Sequence, residues 1–173
     1  MSQICGEPIP EGRYRLVVHV WIRNGSGEYL VSQRSPDREK DPLKWECVGG
    51  SALMGEDSLS TALREVQEEV GVVLSPNQGK VVRTMLRERF QDIVDVWLFE
   101  YDGKVDLSKA STKEVVQARW MGIKDIRALA DKGELQRNLL YFFDEKSLGC
   151  LWLDGSHVFA SVHVSEKGCM QKP

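Results

Sequence analysis

The sequence predicts an α/β domain, and three observations carry that expectation. Segments rich in β-branched and aromatic residues, such as YRLVVHVWI at 14–22 and IVDVWLFEY at 93–101, read as strands. Between them Leu59, Ala62, Leu63, Val66 and Val70 recur at helical spacing, so one face of that stretch is apolar. More helical periodicity follows the last strand-like segment, so strands and helices interleave along the chain.

Taken in order, residues 1–12 carry Gly6, Pro8, Pro10 and Gly12 and read as a short irregular arm. The strand at 14–22 includes His19, expected to be a packed strand residue. Asn24-Gly25-Ser26-Gly27 is a turn, and 28–34 is the partner strand of a hairpin. A charged loop with proline at both ends follows at 36–42. Trp45-Glu46-Cys47-Val48 is a short strand running into Gly49-Gly50, where the backbone can turn sharply and approach a ligand. Cys47 reads as a small buried apolar residue. Asp57 is a good N-cap for the central helix and Gly71 a good stop. Beyond a turn at 75–79, residues 80–90 and 93–101 read as strands separated by Gln91-Asp92. A loop at 103–113 carries Lys104, Lys109 and Lys113, and 114–121 is the last core strand. Asp125 opens a short helix. A longer one is expected over 133–144, with Leu135, Leu139, Leu140 and Phe143 as its apolar stripe.

Composition bounds the function. A chain of 173 residues, 42% hydrophobic and 28% charged, fits one domain with a sizeable core. The net charge of −3 gives no electrostatic reason to expect nucleic acid or an anionic membrane surface as a partner. No apolar run reaches the ~20 residues of a membrane span, and the N-terminus lacks a signal-peptide core. Cys5, Cys47, Cys150 and Cys169 are scattered without a C-x-x-C pair, and His19, His157 and His163 add no ligand-spaced cluster. A reduced, cytoplasmic protein without structural zinc is expected.

The chemistry concentrates in the stretch 50–72. At 100° per residue Glu65, Glu68 and Glu69 share a helix face distinct from the apolar one. Three such carboxylates repel one another unless a cation sits among them. Oxygen-only donors suit a hard divalent ion, Mg²⁺ or Mn²⁺, that can also take up phosphate oxygens. The frame around them is equally specific. Gly50, Glu56, Arg64-Glu65-Val66, Glu68-Glu69 and Gly71-Val72 satisfy every position of G-x5-E-x7-R-E-U-x-E-E-x-G-U, where U is a bulky aliphatic residue. This is the Nudix box, and the chain resembles the Nudix hydrolases of the MutT-like superfamily.

The resemblance implies an α/β/α sandwich with a mixed central sheet. It divides the chain into the arm (1–12), a Nudix domain (13–145) and a C-terminal extension (146–173). In that extension Asp154-Gly155 suggests a hairpin, an added edge strand or a homodimer contact. The resemblance also implies hydrolysis of a nucleoside diphosphate linked to another moiety X, by water attacking phosphorus. Metal would be held by Glu65, Glu68, Glu69 and the Gly50 carbonyl. Arg64 would pair with Glu56 or with a ligand glutamate, and Glu65, Glu69 and Glu114 are candidates for the base. For the substrate, Arg34 and Lys44 are candidate phosphate partners, and Trp97, Phe90 and Tyr14 candidate stacking surfaces. Each of the five has an alternative packing or surface-charge role. Residues 19–35 are also similar to Nudix proteins grouped near the isopentenyl-diphosphate isomerases. Those enzymes carry a cysteine where Gly49 aligns, and Cys47 is displaced from that position. A non-catalytic nucleotide sensor is the third reading, and such modules typically lose box glutamates that this chain keeps.

Overall fold

The computed structural model describes residues 9–10 and 12–144. The arm, apart from its last residues, and the C-terminal extension lie outside the described residues. The elements are β1 (Arg15–Arg23), β2 (Tyr29–Arg34), β3 (Trp45–Glu46), β4 (Val48–Ser51), α1 (Ser58–Val70), β5 (Gly79–Arg87), β6 (Asp92–Glu100), β7 (Val115–Met121) and α2 (Ile123–Asp131). A 3₁₀ segment at Arg137–Phe143 closes the described chain.

β1 pairs in parallel with β6 from Arg15↔Asp92 to Arg23↔Glu100, whereas β5 runs antiparallel to β6. The sheet is therefore mixed, as expected. Alternation along β1 sends Val18, Val20 and Ile22 to one core with Ala62, Val66 and Val70 of α1. Trp21 faces the other core, with Ile126 of α2 and Leu139 and Phe142 of the 3₁₀ segment. Helical layers thus cover both faces of the sheet, which is the three-layer sandwich.

The hairpin expected at the start of the chain is mostly undone. Its turn is present, with the Asn24 side chain accepting from the main-chain nitrogens of Ser26 and Glu28 at 3.0 and 2.9 Å. Yet β1 and β2 are registered only at Arg23↔Tyr29. Beyond that point β4 takes the edge of β1, from Val17↔Ser51 to Val20↔Val48, while β2 pairs with β7 and β3. The single strand expected at 45–48 is therefore two. Trp45-Glu46 bonds to β2, the chain crosses at Cys47, and Val48–Ser51 bonds to β1. This split opens the sheet beside Gly49-Gly50.

Three other boundaries differ from expectation. The strand at 80–90 ends at Arg87, and Phe90 sits in a 3₁₀ turn, Glu88–Phe90. α2 starts at Ile123, capped by Gly122, ahead of Asp125. The helix expected over 133–144 does not form as such. Gly133 turns out of α2 at φ 69°. Glu134 and Gln136 then exchange main-chain hydrogen bonds with Trp45 at 2.8 and 2.9 Å, so those residues are extended. Only 137–143 remain to coil, and they do so as 3₁₀.

Candidate active site

α1 is anchored at both ends. Asp57 and Ser60 form a reciprocal capping box, and Gly71 adopts φ 69° with its N–H donating to the Gln67 carbonyl. A Cβ at Gly71 would stand 2.7 Å from the Asp106 carbonyl oxygen, so both its dihedral and its surroundings require glycine. These caps, with the buried stripe, fix the rotation of the helix and hence where its glutamates point.

Arg64 organises the polar face. Its Nε and Nη2 grip the Glu56 carboxylate at 2.7 and 3.0 Å, and Nη1 bridges Glu65 at 2.9 Å and Glu68 at 3.0 Å. Nη2 also donates to the Ser51 carbonyl at 3.1 Å, tying the helix to the end of β4. Both pairings anticipated for Arg64 thus occur together. Glu56 accepts additionally from Leu53 N–H and Thr61 Oγ1. The Arg64 hydrogen bond is the main reason its pKa falls to about 2. Gly50 lies under the Glu65 carboxylate, and a Cβ there would collide with it.

Glu69 differs from its neighbours. It is 5% exposed, and its Oε2 is buried without a hydrogen-bond partner among the described residues. Burial, followed by the charges of Glu46, Glu65 and Glu114, pushes its carboxyl well above the usual range. Glu65 is also raised, chiefly by burial. Among the described residues, no three acidic, histidine or cysteine side chains are gathered as a ready-made metal cage. The Arg64 guanidinium occupies the space between Glu65 and Glu68. The donor set nonetheless fits a hard divalent cation: all oxygens, in mutual repulsion, with one buried oxygen unsatisfied.

Glu114 sits immediately before β7. Its carboxylate pairs with Arg38 at 2.6 Å and its carbonyl accepts from Ser35 N–H at 2.7 Å. Its charge contributes to the raised pKa values of Glu65 and Glu69, so the structure brings it to the same carboxylate group.

The proposed substrate residues fare unevenly. A cavity of about 170 Å³ opens in the sheet split, with His19, Arg34, Glu46, Cys47, Gly49, Gly50, Arg87, Gln136 and Asn138 in its lining. Arg34 reaches it but is engaged, donating to both Glu46 oxygens at 2.8 and 2.9 Å and to the Lys40 carbonyl. Glu46, pushed up to about 6 by burial and held down in part by Arg34, completes that pair. Lys44 lies elsewhere, its ammonium on the Gly133 carbonyl beside Pro42 and Leu43. Trp97 is a core residue and offers no open face. It is 8% exposed, stacks on Phe99 and donates its indole N–H to Ser58 Oγ at 2.9 Å. Phe90 and Tyr14 are exposed, yet neither lines the cavity. The structure therefore does not gather the three aromatics into a stacking platform.

His19 is packed, as expected, and forms part of the cavity floor. Burial, then the nearby Arg87, lowers its pKa to about 4, so the ring is neutral. Trp21 Nε1 donates to Tyr141 Oη at 3.3 Å, and the same hydroxyl is hydrogen-bonded to His19 Nδ1 at 2.9 Å. Cys47 is 3% exposed, and burial pushes its thiol well above the usual range. Sequence reading missed Arg38, Arg87, Gln136 and Asn138. For Arg87 a signal existed, a charge pair with Asp92 straddling a turn between two strands. For the two amides there was none.

A split mixed sheet between helical layers carries an Arg-organised glutamate face beside a cavity. The NUDIX domain family matches residues 13–143, and the chain belongs to that family. It is 34% identical over 143 residues to a Nudix hydrolase of Listeria monocytogenes, covering 82% of each chain. Over 76 residues, 44% of each chain, it is 40% identical to an RNA pyrophosphohydrolase of Roseobacter denitrificans. Among solved structures it resembles a MutT protein from Methanosarcina mazei with a TM-score of 0.62 and 24% identity, covering 80% of this chain and 96% of that one.

Proposed function

We infer that this chain is a cytoplasmic Mg²⁺- or Mn²⁺-dependent pyrophosphohydrolase acting on a nucleoside diphosphate linked to a moiety X. The observation that carries the reading is Glu69 Oε2, buried and unpaired beside a helix face of further carboxylates. Glu65, Glu68, Glu69 and the Gly50 carbonyl would hold the ion, which when bound neutralises phosphate charge and lowers the pKa of water. The chain's own residues do the rest. Arg64, fixed by Glu56 and the Ser51 carbonyl, sets the rotamers of Glu65 and Glu68. Glu65, Glu69 or Glu114 takes the proton from the attacking water, and Arg38 holds Glu114 in place meanwhile. The cavity beside Gly50 receives the group attached to the diphosphate.

The isomerase reading loses support from the buried, protonated Cys47 and from Gly49, whose Cβ would crowd the Val18 carbonyl at 2.6 Å. The sensor reading is not favoured by any observation. A panel of nucleoside di- and triphosphates, ADP-ribose, dinucleoside polyphosphates, nucleotide sugars, CoA and isopentenyl diphosphate, each with Mg²⁺ and Mn²⁺, tests the proposal. In ¹⁸O-water the label should enter a phosphate product. Label confined to X, dimethylallyl diphosphate as product, or no turnover of any diphosphate would overturn it.

A further inference from the structure

The cavity contains two guanidinium groups, and each is already matched by a carboxylate. Arg34 is satisfied by Glu46 and the Lys40 carbonyl through all three of its nitrogens. Arg87 is held differently. Its Nε and Nη2 form a fork on Asp92, both at 2.7 Å, and that carboxylate is only 3% exposed. The ring of Phe90 lies 5.2 Å from its guanidinium carbon. So Arg87 is clamped from two sides, while its remaining nitrogen, Nη1, has no hydrogen-bond partner among the described residues. The side-chain amides of Gln136 and Asn138, which belong to the same lining, likewise make none among the described residues. A rigid donor and two free amides therefore belong to the lining of the same cavity as Gly49-Gly50.

Charge decides what fits. Arg34 with Glu46 and Arg87 with Asp92 sum to zero, and the remaining lining is neutral, so a further phosphate finds no uncompensated cation there. An isoprenoid tail would leave Arg87 Nη1 and the amides without water or partner. A neutral ring carrying carbonyl, imine or hydroxyl oxygens or nitrogens satisfies them.

We propose that Arg87, with Gln136 and Asn138, is the specificity-determining group of this protein, and that it reads an uncharged, acceptor-bearing ring attached to the diphosphate. Either a nucleobase or a sugar supplies that chemistry. The assignment rests on the pyrophosphohydrolase reading for the diphosphate, and on the cavity for the ring.

The test uses the full chain and two substrate series: one varies the base with X held constant, the other varies the sugar of X with the base held constant. Arg87→Gln combined with Asp92→Asn removes donor and buried counter-charge together, and Arg87→Lys keeps the cation but loses the fork. Binding is measured by calorimetry in EDTA, and kcat and KM are measured with Mg²⁺. Both variants should weaken binding and raise KM by about 10- to 100-fold, leave kcat within a few-fold, and flatten the preference in one series. The series that flattens identifies the ring as base or sugar. Unchanged affinity and preference in both series, or a loss that follows only the number of phosphates, overturns the assignment. Should the double variant fail to fold, Asn138→Ala at an exposed position decides, with the same preference reduced by about 3- to 10-fold. Wild-type protein that binds and discriminates without cleaving refutes the hydrolase reading and keeps this one. Wild-type protein that does neither refutes both.

Discussion

Replacing Glu69 with Gln separates what the residue costs the fold from what it gives the site. In the folded chain Oε2 is buried and unpaired, and Glu46, Glu65 and Glu114 add like charge. An unsatisfied buried polar group costs about 1–3 kcal/mol, more when charged. Gln keeps the volume and removes the charge, so metal-free protein at neutral pH should be no less stable, and up to about 2 kcal/mol more stable. For a domain of this size that is a rise of ~4 °C per kcal/mol in Tm. The sign with pH follows from the raised pKa of Glu69. The folded state holds that proton more tightly than the unfolded chain, so the contribution of Glu69 to stability is fullest below about pH 4.5 and declines as pH rises. The advantage of the Gln variant should therefore vanish toward pH 4.5 and grow above it. With Mg²⁺ or Mn²⁺ in hundredfold excess over Kd, wild type should gain about 3 kcal/mol and the variant much less. Turnover should fall by orders of magnitude. Thermal unfolding across pH, with and without metal, checks all of this. A variant destabilised by more than about 2 kcal/mol without metal, yet stabilised normally with it, would show that Glu69 serves packing and not ion binding.

Three more outcomes are expected. His19 is protonated near 6.5 in the unfolded chain and near 4 in the fold. Its contribution of about 3 kcal/mol is therefore complete above pH 6.5 and lost as pH falls toward 4, and His19→Phe should remove that slope from denaturant titrations. Gly50→Ala drives a methyl into the Glu65 carboxylate. It should cut activity and metal affinity by up to about 100-fold while unfolding remains cooperative, and wild-type kinetics in this variant would contradict the cradle. Cys47→Ala should keep wild-type turnover with a modest stability loss of about 1–2 kcal/mol, and a chromatographic assay should find no dimethylallyl diphosphate from either protein.

What was legible in the sequence was local. The helix limits followed from Asp57 and Gly71, since a cap and an αL stop act within one turn of the chain, and the same window presented Glu56, Arg64, Glu65, Glu68 and Glu69 together. The strands of the core were legible from their composition. Pairing was not. Nothing between Tyr29 and Arg34 says that β2 leaves β1 for β7, because that choice is made by strands supplied far along the chain. The same limit explains Trp97, whose aromatic character marks burial and stacking equally, and whose place beneath α1 depends on a strand partner in β1. It also explains the cavity, part of whose lining, Gln136, is placed by a main-chain bond to Trp45 where a helix was expected.

The placement of Arg64 joins these levels. As a helix residue it sits between Glu65 and its own i+4 neighbour Glu68, a favourable pair in any isolated helix but worth only about 0.5 kcal/mol at the surface. Its further bonds to Glu56 and to the Ser51 carbonyl reach outside the helix, to the loop and to the end of β4. That makes the guanidinium a cross-brace between the carboxylate face and Gly50. Arg64→Lys tests the brace, because an ammonium preserves the charge and cannot reach Glu56, Glu65, Glu68 and Ser51 at once. Metal-free stability should change by only about 1 kcal/mol, since the residue is partly solvent-exposed and its charge remains. The carboxylates, released from fixed rotamers, should bind the ion less well. The expected signature is a metal requirement shifted at least tenfold higher, with kcat partly restored at saturating metal. A loss of kcat that no metal concentration restores would mean that Arg64 touches the substrate itself and does not merely orient the glutamates.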